Sequence, residues 1–216
     1  MMHFCFLIED HSSEVLIKIL MQKLLADYPM DTYECRGFKG IGGLKKKSGI
    51  KDIKTGKLLT DLPIYLRGFD KSLKGFPAVI IVVLDNDDRD TETFRNALEK
   101  IAVDNHIDID HVFCIAVEEV EAWLLGDKGA IRKAYPEARM SAMKNYEQDS
   151  ICGTWEILAD VVYPGGFKVM KKECPTFMEI GRYKAKWAEN IGRFMDVDQN
   201  ISPSFRFFVD TVRSRV

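Results

Sequence analysis

Residues 3 to 8 (HFCFLI), 78 to 84 (AVIIVVL) and 111 to 117 (HVFCIAV) are apolar at nearly every position instead of every second one. Unbroken runs rich in β-branched and aromatic residues suit strands covered on both faces, as in a parallel sheet held between helices. The segments between them read as helices. In DHSSEVLIKILMQKLLADYP, Ser12 or Ser13 is the expected N-cap, with Glu14 in the first turn. Val15, Leu16, Ile19, Leu20 and Leu24 form the apolar stripe, and Pro29 lies beyond the end. TYECR at 32 to 36 is a further strand. Leu58, Leu59, Leu62, Tyr65, Leu66, Phe69 and Leu73 recur at helical spacing, as do Phe94, Leu98 and Ile101 within TETFRNALEKIAV.

Strand, helix, strand, helix, strand, helix, strand predicts an α/β domain over residues 1–127, a doubly wound, mainly parallel sheet with helices on both faces. Residues 128–216 differ in kind. TWEILADVVYPGG, RYKAKWAENIGRFM and SPSFRFFVDTV read as helices, the last opened by Ser202 as cap and Pro203 at the first position, with no strong strand among them. The expectation is a helical C-terminal part packed on the α/β core.

Each of the three buried runs ends in acids: Ile8 gives way to Glu9 and Asp10, Leu84 to Asp85, Asp87, Asp88 and Asp90, and Val117 to Glu118, Glu119 and Glu121. Ligand sites of open α/β sheets lie beyond the carboxyl ends of the strands, so all three acidic turns are expected at one edge. Like charges gathered there repel unless a cation sits among them, and oxygen donors without His or Cys favour Mg²⁺ or Mn²⁺ over zinc. The competing reading makes these acids helix caps, and it accounts better for Glu14, Glu92 and Glu121.

The loop GFKGIGGLKKKSG at 37 to 49 supplies Lys39, Lys45, Lys46 and Lys47 as candidate contacts to a nucleic-acid backbone, although a solvated connection explains it equally well. It contains no GxxxxGK[ST], so any NTP hydrolysis must come from a partner. Tyr183 and Trp187, four apart, are expected to face the core with Lys184 and Lys186 in solvent. A net charge of −2 excludes a protein that coats nucleic acid through bulk positive charge. Five scattered cysteines without CxxC spacing read as reduced thiols, and the short apolar opening suits neither a signal peptide nor a membrane span. The expected location is the cytoplasm.

FLIEDHSSEVL followed by VVLDNDDRD resembles the Toprim catalytic core shared by topoisomerases, bacterial primases and OLD-type nucleases. AVEEVEAWLLGD and NISPSFRFFVDTV resemble small Toprim-like proteins grouped as a domain of unknown function, related to effectors found beside ATPases in bacterial anti-phage defence. The core motif covers roughly the first 125 residues, and the wider likeness most of the chain. The resemblance implies a Mg²⁺-dependent nuclease acting on DNA or RNA, with a separate ATPase subunit as partner and a homo-oligomer left open. Glu9, Asp85 and Asp87 match the motif. Asp85 and Asp87 would hold one or two metal ions, with Glu9 completing the shell or moving protons. Glu118 or Glu119 would add a ligand, Glu118 being favoured because it directly follows the strand. Two alternatives stand beside this reading. One is a noncatalytic partner subunit of such a complex. The other is a haloacid-dehalogenase-like phosphatase, against which Arg89 counts, since it occupies the place of the expected Thr or Val after the DxD.

Overall fold

The computed structural model describes residues 1–42 and 57–216. Four strands, β1 (His3–Ile8), β2 (Thr32–Gly37), β3 (Ala78–Asp85) and β4 (Asp110–Ala116), form an all-parallel sheet in the order β2-β1-β3-β4. They alternate with α1 (His11–Leu24), α2 (Leu58–Ser72) and α3 (Thr91–Asp104). The α/β class and the helices on both faces are as the sequence predicts. β3 is buried at every position, as its unbroken aliphatic run requires, whereas the edge strand β2 is half exposed and correspondingly polar.

Alternate side chains of each strand enter different cores. Phe4, Phe6 and Ile8 face α1, while Cys5 and Leu7 face α2 and α3. The chain leaves β1 in one direction to reach β2 and leaves β3 in the other to reach β4. The crevice between the carboxyl ends of β1 and β3 is therefore the topological switch point of the sheet.

The remaining α-helices among the described residues are α4 (Glu121–Leu125), α5 (Lys128–Ala134), α6 (Thr154–Val162), α7 (Phe167–Glu173), α8 (Phe177–Gly192) and α9 (Pro203–Arg213), with a 3-10 turn at Met140–Met143. They build onto the α1 face. Trp123, Leu158, Trp187, Phe205 and Phe208 share one continuous core with Phe4, Phe6 and Ile81, and the rings of Phe6 and Phe208 lie 6.3 Å apart. At Gly192 an added Cβ would come within 2.9 Å of Leu16 Cδ1, so the end of α8 lies close against α1. Ser202 caps α9 with Pro203 in the first turn, as its sequence indicates.

One cap differs from expectation. Asp10, not Ser12 or Ser13, opens α1: its extended backbone lets the carboxylate accept from the Ser13 amide at 2.8 Å, and both serines are buried in the first turn.

Candidate functional site

The acids after β1 and β3 meet at the switch point. The Glu9 amide continues the ladder by donating to Val83 O at 3.1 Å, and the Glu9 side chain accepts from the Asp85 amide through Oε2 at 3.0 Å. Asp85 is buried, and its Oδ1 accepts from the Val120 amide at 3.0 Å, which ties the turn after β4 to the end of β3. Between them Asn86, also buried, acts as the bracket of the edge. Its Nδ2 donates to Arg89 O at 2.8 Å and to Thr91 Oγ1 at 2.9 Å, and its Oδ1 accepts from the Glu118 amide. Asp87 and Glu118 both adopt left-handed backbone, φ 50° and 60°, and the Asp87 amide donates to Glu118 O at 3.0 Å. Such conformations are uncommon for residues with side chains and are held here by this network.

Lys184 completes the cluster. It reaches in from α8, its side chain only 13% exposed, and its ammonium lies 3.2 Å from Glu119 Oε1 and 3.1 Å from Glu121 Oε2. The sequence expectation for Lys184 is thereby corrected, since the lysine is not solvated, while Glu121 stands in the first turn of α4 as expected and is also the buried partner of that lysine. The periodicity of α8 held the missed signal, because Lys184 stands four residues before Ala188 and seven before Ile191, both buried. Lys186, in contrast, is exposed, and Trp187 is buried as expected.

Glu119 and Glu121 thus share the Lys184 ammonium, whose charge also acts on Glu9 and Asp85. Glu119 Oε2 and Glu121 Oε1 are buried with no hydrogen-bond partner among the described residues. Burial, then the charges of Asp10 and Asp87, push Glu9 up to about 7 against the opposing Asp85 amide. Burial and Glu121 push Glu119 up to about 8. Burial raises Asp85 and Glu121 as well, with Glu9 the next cause at Asp85. At Lys184 burial opposes the charge, but Glu121, Glu119, Asp85 and Asp10 outweigh it and hold the ammonium protonated.

The other acids are otherwise engaged. Glu118 turns from the cluster and serves as the N-terminal cap of α6, accepting from the amides of Cys152, Gly153 and Thr154 at 3.1, 2.8 and 2.8 Å and from the Thr154 hydroxyl. Burial acts against its charge, but these donors hold it below the ordinary glutamate value. Asp87 is half exposed and pairs with Arg89 at 2.6 Å. Asp90 caps α3. Glu9, Asp85 and Asp87 therefore share the edge, but their oxygens do not close into a ready shell; among the described residues only His3, Cys5 and Glu34 bring ligand atoms within 4.8 Å of one another.

Around this edge lie two shallow clefts. One, of about 200 Å³, is bounded by Asp87, Glu119, Trp155 and Glu156. The other, of about 370 Å³, is bounded by Asp10, His11, Lys39 and Arg182. Lys39 is exposed there, whereas Lys45, Lys46 and Lys47 lie outside the described residues. No helix among the described residues is long and apolar enough to cross a membrane.

Comparisons with protein-family models, curated proteins and solved structures find no match. The chemistry of the edge therefore rests on its own donors. Glu119 Oε2 and Glu121 Oε1, buried without hydrogen-bond partners among the described residues, are hard oxygen donors of the kind a divalent cation takes.

Proposed function

We propose that the chain is a divalent-metal-dependent nuclease whose site is the Glu9–Asp85 crevice. The observation that carries this reading is the buried excess of carboxyl groups around Lys184 at the switch point of a parallel sheet. Asp85 and Glu9 would hold Mg²⁺ or Mn²⁺, with Glu119 beside them and Asp87 able to join on releasing Arg89. When bound, the metal would polarise a phosphodiester and lower the pKa of a coordinated water. Glu9, poised near neutrality, can exchange a proton at its carboxylate within the working pH range. Lys39 at the rim supplies charge for a phosphate backbone, joined in sequence by Lys45, Lys46 and Lys47. The resemblance to Toprim-type defence effectors adds an ATPase subunit as the proposed partner.

The test is cleavage of single-stranded and duplex DNA and RNA by the full chain with Mg²⁺ or Mn²⁺, beside Asp85→Asn and Glu9→Gln. Metal-dependent cleavage abolished in both variants supports the reading. A second reading, a noncatalytic subunit, is favoured by Lys184 itself, since an internal cation already offsets part of the acidic charge. A wild type that neither cleaves nor gains thermal stability with either metal would favour that second reading.

A further inference from the structure

At the amino end of the sheet, away from the acidic crevice, a different donor set meets on the α2 face. His3 and Cys5, two apart on β1, point to the same side, and Glu34 stands directly across from Cys5 in the β1–β2 register. One ligand atom from each lies within 4.8 Å of the other two. His3 Nδ1 sits 2.8 Å from Thr32 Oγ1, which fixes the ring and leaves Nε2 for a ligand. The sulfur is buried, while the imidazole is partly exposed and the carboxylate exposed, so the cluster has a base in the core and a rim at the surface.

We propose that His3, Cys5 and Glu34 form a zinc site that clamps the edge strand β2 to β1. A thiolate, an imidazole and a carboxylate match the donor preference of Zn²⁺ and not of Mg²⁺, and three protein ligands leave a fourth position for water. Ligand atoms in a tetrahedral zinc shell stand about 3.5 Å apart, given bonds of about 2.0 to 2.3 Å, so small side-chain rotations from the present spacing close it. Binding exchanges the Cys5 S–H bond for an S–Zn bond and releases the proton to solvent, while Glu34 stays a carboxylate and ligates. Clamping here has a structural reason: β2 is the exposed edge of the sheet, joined to it through β1 alone.

The test uses the full chain with Co²⁺ as a spectroscopic probe and Zn²⁺ titrated by calorimetry. The expected result is a thiolate-to-cobalt charge-transfer band that saturates at one equivalent of cobalt at this site. Glu34→Gln and His3→Gln should weaken zinc binding at least tenfold, and Cys5→Ser should remove the band. Asp85→Asn should keep it, which separates this site from the acidic crevice, as should Cys152→Ser, which alters the exposed thiol. Because Glu34 is exposed, its variant is expected to fold, and a melting curve checks this. No band at excess cobalt, a band abolished in Cys152→Ser, or wild-type zinc affinity in both Glu34→Gln and His3→Gln would each overturn the proposal.

Discussion

The amide of Asp85 donates to Glu9 Oε2 at 3.0 Å, joining the last residue of β3 to the first residue beyond β1. This hydrogen bond spans the switch point and orders the residues that follow. It favours the charged form of Glu9, but burial together with Asp10 and Asp87 prevails and leaves the carboxyl near neutrality.

A pH dependence follows for the metal-free protein. Glu9 and Glu119 titrate near 7 and 8 in the fold, above the usual carboxyl range near 4.5, so the native state binds more protons than the unfolded chain between these limits. Their contribution is full below about pH 4.5 and disappears as pH rises through 7 to 8. Melting temperature in EDTA should fall across this window, and Glu9→Gln or Glu119→Gln should flatten the fall.

For Asp85→Asn the expected metal-free stability is equal to wild type or slightly higher. The amide relieves repulsion with Glu9 and Asp10, while its oxygen can still accept from Val120. Thermal stabilisation by Mg²⁺, about 2.7 kcal/mol at a hundredfold excess over Kd, should disappear. Glu9→Gln should lower cleavage by about 10²- to 10⁴-fold if Glu9 moves protons. Melting curves with and without Mg²⁺, followed by a cleavage assay, check both variants.

Lys184→Met should be strongly destabilising, by about 3 to 5 kcal/mol, because it leaves Glu119 and the buried Glu121 without their cation. Adding Glu121→Gln should recover part of the stability. Urea denaturation of the single and double variants measures the coupling, and additive effects would deny the ion pair.

Glu118→Gln separates a cap from a ligand. Removing charge-assisted acceptance at the start of α6 should cost about 1 to 2 kcal/mol, while the Mg²⁺-induced shift in melting temperature stays as in wild type. A vanished shift would return Glu118 to the metal shell.

Lys39→Ala should weaken nucleic-acid binding and lower the salt slope by about 0.9 for each phosphate that the lysine neutralises on duplex DNA, with the fold unchanged. Affinities measured over a salt series check this.

The sequence by itself determined the α/β class, the order of strands and helices, and the gathering of acids at one edge. These rest on local physics: a run such as Ala78–Asp85 can be satisfied only by burial on both faces, and Ser202–Pro203 starts a helix wherever it lies. The tertiary structure alone decided which acids meet. Glu118 and Glu119 are neighbours in sequence, yet the left-handed turn at Glu118 sends one side chain to the amides of α6 and the other to Lys184. Lys184 and Glu121 are far apart in sequence, and only the packing of α8 on α1 and α4 makes them a buried pair. Their partnership depends on which face of a helix the core covers, and no local spacing around either residue records the partner it finds there.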